Sequence, residues 1–190
     1  MHDLPPSKDA GISRRRFLRN GGALCLLPLA GVALPARASL GVSASRRLSF
    51  EHTHTGERLS VCYFENGSYV PGSLARVQHL FRDFRSGEAH PIDAGLLDIL
   101  HELQVLADRD DRFQIISAYR SPLTNARLRR RSNGVAEHSL HLQGQAIDVR
   151  LSGFDTRQLA GLARGLQRGG VGYYASSDFV HVDTGRVRYW

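Results

Sequence analysis

The chain has 190 residues, 42% hydrophobic and 23% charged. That balance belongs to an ordinary globular protein and excludes a disordered, collagen-like or low-complexity chain. The whole chain carries +7, but residues 1–38 hold six of its 25 basic and only two of its 18 acidic side chains. Residues 39–190 are therefore nearly balanced, at +3. This excludes a strongly basic nucleic-acid binder and suits an anionic polymer as partner.

In chain order, the first segment reads as an export signal rather than as part of a fold. Arg14, Arg15, Arg16 and Arg19 precede an apolar run from Gly21 to Leu34, and Ala36-Arg37-Ala38 forms a small-x-small cleavage pattern. The run is too short to span a bilayer, so no stable membrane anchor is expected. Ser13-Arg14-Arg15-Arg16-Phe17-Leu18 resembles a twin-arginine signal, which a translocase receptor reads. The expectation is a twin-arginine-type signal peptide over 1–38, cleaved after Ala38, and a periplasmic or otherwise exported domain over 39–190. Cys25 falls in the signal, with Leu24 before it arguing against lipidation. Cys62 is left without an internal disulfide partner and reads as a small hydrophobe.

Alternating apolar residues predict strands over 48–55 and 59–64, and 67–72 reads as a loop. Leu74, Val77, Phe81 and Phe84 follow helical spacing, with Ser73 as N-cap and Ser86-Gly87 as terminator. A second helix starts at Asp93 and carries a leucine stripe from Leu96 to Leu106. A strand over 113–118 follows, then a helix from Pro122 to Arg131, a polar loop over 132–144 and a strand over 146–151. Asp155 caps a last helix, and 171–174 and 179–183 read as a closing pair of strands. The irregular order favours an α+β fold with helices packed against a mostly antiparallel sheet.

His141, Asp148 and His181 stand out as a metal set. Gly144 lies between the first two, so a loop that turns there and enters a strand can bring His141 back beside Asp148. Zinc accepts imidazole nitrogen and carboxylate oxygen, and its catalytic sites keep three protein ligands and an open position. Water bound at such a position has its pKa lowered towards about 7. Each residue taken singly has a plainer role, as a capping aspartate or a satisfied core histidine.

The pattern Ser139-x-His141-x-x-Gly144-x-Ala146-x-Asp148, followed by a histidine on an apolar strand, resembles the D-Ala-D-Ala carboxypeptidase and hedgehog-type zinc peptidases. More closely, the chain resembles the murein endopeptidase K family. The matching stretches are 117–121, Thr124-Asn125, 134–136, 139–148, 169–174 and 179–185, across nearly all of residues 39–190. The resemblance implies a compact hedgehog/DD-peptidase-like fold, one zinc ion on His141, Asp148 and His181, and peptidoglycan stem peptides and cross-links as substrates.

It also implies roles for neighbouring residues. Arg120, in the turn Tyr119-Arg120-Ser121, would stabilise an oxyanion or hold a substrate carboxylate; its plainer reading is a surface salt bridge. Asp178, three residues before His181, holds the position of a general base. Asp183 lies two residues after His181 on the same strand face, as a rival base or as a partner orienting a ligand. Ser139 would bind substrate or fix its loop. His138 reads as a cleft-edge or solvated residue, and His52 and His54 as exposed. The arginines at 127 and 129–131 either grip anionic glycan or form a solvated helix face. Two rival functions stay open: a non-catalytic zinc-stabilised module binding peptidoglycan, and a D,D-carboxypeptidase.

Overall fold

The computed structural model describes residues 45–132 and 134–190. The expected signal segment and its cleavage site lie outside the described residues. No helix among the described residues is long and apolar enough to cross a membrane.

The chain opens with strands β1 (Arg46–His52), β2 (Arg58–Glu65) and β3 (Ser68–Tyr69). Helix α1 (Pro71–Leu80) follows, then α2 (Ala94–Leu106) and strand β4 (Phe113–Ser117). Helix α3 (Pro122–Arg131) leads through a short 3-10 helix (Leu140–Gln143) to β5 (Ala146–Leu151). Helix α4 (Thr156–Leu166), β6 (Gly170–Tyr174), β7 (Phe179–Asp183) and β8 (Arg188–Tyr189) complete it. The eight strands of the described residues form one sheet in the order β3-β2-β1-β4-β5-β7-β6-β8. Only β1–β4 and β6–β8 pair in parallel. The fold is the expected α+β, mostly antiparallel arrangement.

Strand alternation sorts the two sheet faces. On β5, Ile147, Val149 and Leu151 join the core, while Asp148 points to the opposite face. On β7, Val180 and Val182 face the core and His181 and Asp183 face away from it. The leucine stripe of α2 (Leu96, Leu97, Leu100 and Leu103) is buried in that core with Leu159 and Ala163 of α4. Each fully buried leucine contributes about 1.5–3 kcal/mol, enough to fix which sheet face is left for chemistry.

Helix starts follow capping chemistry. The Asp93 and Asp155 carboxylates accept the Gly95 and Gln158 amides, and the Ser121 hydroxyl accepts the Thr124 amide. At α1 the structure corrects the expectation. Val70, not Ser73, is the N-cap, because Pro71 has the fixed φ that suits a first helical position. The helix also stops at Leu80 rather than running to Phe84. Asp83 turns the chain instead: its carboxylate accepts the Arg85 amide and its carbonyl the Ser86 and Gly87 amides. Within the expected loop over 67–72, Ser68–Tyr69 pairs with β2. Cys62 is half-buried on the face of β2 opposite Val61 and Tyr63. His52 is buried rather than exposed, under the edge of Phe84 with ring centroids 5.3 Å apart.

Candidate metal centre

Local backbone geometry brings His141 to Asp148. The 3-10 helix ends at Gly144 in the left-handed region, φ 65°, and the Gln145 amide donates to the Leu140 carbonyl at 3.0 Å. A Cβ at position 144 would run into the Pro91 carbonyl oxygen, so the turn needs glycine twice over. His181 arrives by sheet register, since Asp148 and His181 are direct partners across β5 and β7. Side chains of directly paired residues project from the same face. One donor atom from each of His141, Asp148 and His181 lies within 4.8 Å of the others, and all three residues are buried.

The ring nitrogens settle which atoms are available. His141 Nδ1 is 2.6 Å from the Ala118 carbonyl, which only accepts, so this nitrogen carries the proton and Nε2 keeps its lone pair. His181 meets a carboxylate at each nitrogen, Asp183 Oδ2 at 3.0 Å from Nε2 and Asp148 Oδ1 at 2.8 Å from Nδ1; with Nε2–H donating to Asp183, Nδ1 is the nitrogen turned to the metal set. His141 Nε2 and His181 Nδ1 thus both face Asp148 Oδ1, at 3.4 and 2.8 Å. Lone pairs aimed at a carboxylate repel, and either a proton on His181 Nδ1 or a cation among the three groups relieves that repulsion. The donor set therefore fits a divalent metal, with each imidazole oriented from behind by an oxygen, as metal-ligating histidines usually are.

Burial would raise the Asp148 carboxyl, but His141 and His181 outweigh it and hold it well below the usual carboxylate range. For His181, burial lowers its affinity for a proton, while Asp148 and Asp183 raise it further, giving a net upward shift. Asp183 is wholly buried and also held low. Against its burial stand His181, Arg188 and the Gly170 and Gly185 amides, the last two at 3.0 and 2.9 Å. The Arg188 guanidinium meets both Asp183 oxygens, at 3.1 and 2.7 Å.

A cleft of about 380 Å³ opens over the three residues. Arg120 lines it, and among the described residues no carboxylate lies within ion-pair distance of its guanidinium. Its Nε is buried without a partner, and Nη1 donates to Asn125 Oδ1 at 3.3 Å. Burial lowers its pKa from the ordinary arginine value. The turn holding Arg120 is pinned at both ends. The Arg120 amide donates to the His141 carbonyl at 3.1 Å, and the Ser121 amide to the buried Asp83 carboxylate at 3.0 Å. Asn125 Nδ2 reaches across to the Ala136 and Glu137 carbonyls, tying α3 to the cleft loop.

The predicted residues divide accordingly. His141, Asp148, His181, Arg120 and Ser139 come together at the cleft, with His138 exposed at its edge. Asp183 lies behind His181, its oxygens taken up by hydrogen bonds. Asp178 is not brought to the cleft. It sits in the left-handed region, φ 52°, and its carboxylate accepts from Thr156 Oγ1 at 2.7 Å and faces Arg150 Nε at 3.4 Å. Its carbonyl accepts from the same Arg150 Nε. Of the arginine run, Arg129 pairs with Glu137 at 3.1 Å. Asn125, Arg188 and Trp190 took no part in the expected site. Asn125 stood inside a matching motif, whereas nothing in the spacing of Arg188 and Trp190 connects them to His181.

Comparison with known proteins agrees with this geometry. A family model described as peptidoglycan L,D-endopeptidase MepK matches residues 41–190. The chain is 42% identical over 178 residues to the peptidoglycan L,D-endopeptidase MepK of Escherichia coli strain K12, covering 94% of this chain and 97% of that one. The Shigella flexneri protein of the same name shows the same identity and coverage. A probable peptidoglycan L,D-endopeptidase MepK of Haemophilus influenzae is 37% identical over 182 residues, covering 94% and 95%. With the match spanning the sheet, the cleft and all three donor residues, the chain belongs to the peptidoglycan L,D-endopeptidase MepK family.

Proposed function

We propose that the chain is an exported, zinc-dependent endopeptidase that hydrolyses cross-links between peptidoglycan stem peptides, at the L,D bond. The observation that carries this reading is the convergence of His141 Nε2, Asp148 Oδ1 and His181 Nδ1 at the floor of a cleft, each imidazole fixed from behind. The names of the relatives supply the substrate class and the bond. Held by these three donors, zinc would supply Lewis acidity for a scissile carbonyl and an acidified water.

The chain's own residues do the rest. Arg120 offers a desolvated cation without a carboxylate partner, fit to hold the charge that develops on a carbonyl oxygen or a substrate carboxylate. Asp183 keeps the proton of His181 on Nε2 and its ring in register. Asp178 and Asp183 are both engaged elsewhere. Proton transfer therefore falls to another cleft-lining group, and His138 is the imidazole there outside the metal set.

One observation favours the rival binding module: apart from Asp148, no carboxylate among the described residues lines the cleft. Defined fragments carrying either an L,D or a D,D cross-link separate the readings. The zinc-loaded chain is expected to cut the L,D-linked fragment and to release no terminal D-alanine. Binding to purified wall without any cleavage would transfer the assignment to the module, and D-alanine release to a carboxypeptidase. Export is tested separately. Changing Arg14 and Arg15 to Lys is expected to trap the chain in the cytoplasm, and undiminished export would remove the twin-arginine reading.

A further inference from the structure

Trp190 stands over the metal set although no motif connects it there. Its ring centroid is 5.2 Å from that of His181, at 48°, and it lines the same cleft as Arg120. Several contacts hold it, among them a hydrogen bond from the Tyr173 amide to its carbonyl at 3.1 Å. Its Nε1 donates to the Tyr174 hydroxyl at 2.9 Å, its amide donates to the Val171 carbonyl at 3.2 Å, and Arg188 lies 5.1 Å from its ring while gripping Asp183. The strand beneath is cut away for it. A Cβ on Gly172, the residue paired with His181, would fall 2.5 Å from the indole Cε2. Tyr174 stacks in turn on Phe179 at 4.6 Å, and all three aromatic residues line the cleft. Yet Trp190 stays 47% exposed. An anchored, part-exposed aromatic face beside a reactive centre is a surface built to take a ligand's apolar portion.

From this arrangement we infer that Trp190, with Tyr174 and Phe179, is a substrate-binding wall. It holds the aliphatic stem of the amino-acid residue next to the scissile bond, in the cleft where Arg120 offers a cation to that residue's charged end. This deepens the endopeptidase reading and rests on it for the identity of the peptide. The wall acts in binding, so its removal raises KM and leaves kcat and the metal in place. Gly172 serves it by leaving the indole room to lie flat.

The experiment uses the fact that Trp190 is the chain's only tryptophan. A cross-linked peptide with its scissile amide replaced by a methylene-amine is titrated into the zinc-loaded chain while intrinsic emission is followed. A saturable change is expected, and unchanged emission would overturn the wall. Kinetics on the cleavable peptide give a second reading. Trp190→Ala is expected to raise KM about tenfold or more with kcat and zinc content held, and Trp190→Phe to recover most of the loss. Gly172→Ala is expected to raise KM in the wild-type background but to add little in the Trp190→Ala background. Loss of zinc or of kcat in Trp190→Ala at unchanged KM would overturn the proposal in favour of a merely structural indole. A wild-type chain that cuts no peptide would sink the endopeptidase reading instead, while the emission titration would still decide the wall.

Discussion

A histidine on a strand becomes a predictable metal ligand once its second nitrogen has a fixed partner, and for His181 that partner is Asp183. Two-residue strand periodicity put Asp183 on the right face from sequence alone. The four groups that occupy its oxygens come from β6, β7, the segment leading to β8 and β8 itself, which only the folded sheet assembles. Asp183→Asn keeps the shape but loses the charge that faces His181 and Arg188. Zinc affinity is expected to fall about 10–100-fold, measured by competition with a chromophoric chelator. Asp178, expected from its spacing before His181 as a base, has a left-handed backbone and its carboxylate meets Thr156 and Arg150 rather than the cleft. Asp178→Ala is expected to keep nearly full turnover, whereas Arg120→Ala is expected to lose it about 100-fold with zinc content unchanged. Parallel kinetics and metal analysis check both.

Among the elements, the turns around the cleft matter more than the helices and strands they join. The strands carrying Asp148 and His181, and the caps Asp93 and Asp155, were legible because periodicity and capping are local. Strand β8 and the burial of His52 were not, because each depends on a partner distant in sequence, and the 3-10 helix at Leu140–Gln143 was not, because its short local turns carry no periodic signal. The Asp83 turn is of the same kind: an aspartate inside an apparent helical stripe holds the start of α3, thirty-eight residues on. Burial would raise its carboxyl, but bonds from Thr124, Ser121 and the Arg85 amide outweigh burial and lower it. A depressed carboxylate contributes its stability above its ordinary value of 3.8 and loses it as pH falls below that. Asp83→Asn is thus expected to cost about 2–3 kcal/mol at pH 7 and less at pH 3, read from urea midpoints at the two pH values. At Gly144, alanine would meet both a positive φ and the Pro91 carbonyl. Gly144→Ala is expected to displace His141 and reduce bound zinc to well below one per chain, by metal analysis of the folded variant.

For the whole molecule, the sheet divides its labour by face. One face is sealed by α2 and α4, and the other presents Asp148, His181 and Asp183 from two adjacent central strands. Donors mounted on paired strands move little, which is what a three-ligand site needs in order to hold its geometry with one position open. Residues 39–190 carry only +3, so the overall field attracts an anionic wall weakly and local groups in the cleft must add to it. The central claim is that this one site, loaded with zinc, cuts peptidoglycan peptides. Its most direct test is to strip the chain with a chelator, return zinc in measured steps, and follow peptide release from purified peptidoglycan, with His141→Ala alongside. Release should rise linearly to a plateau at one zinc per chain and stay absent in the variant. Full release from the stripped chain, or from His141→Ala, would contradict the account.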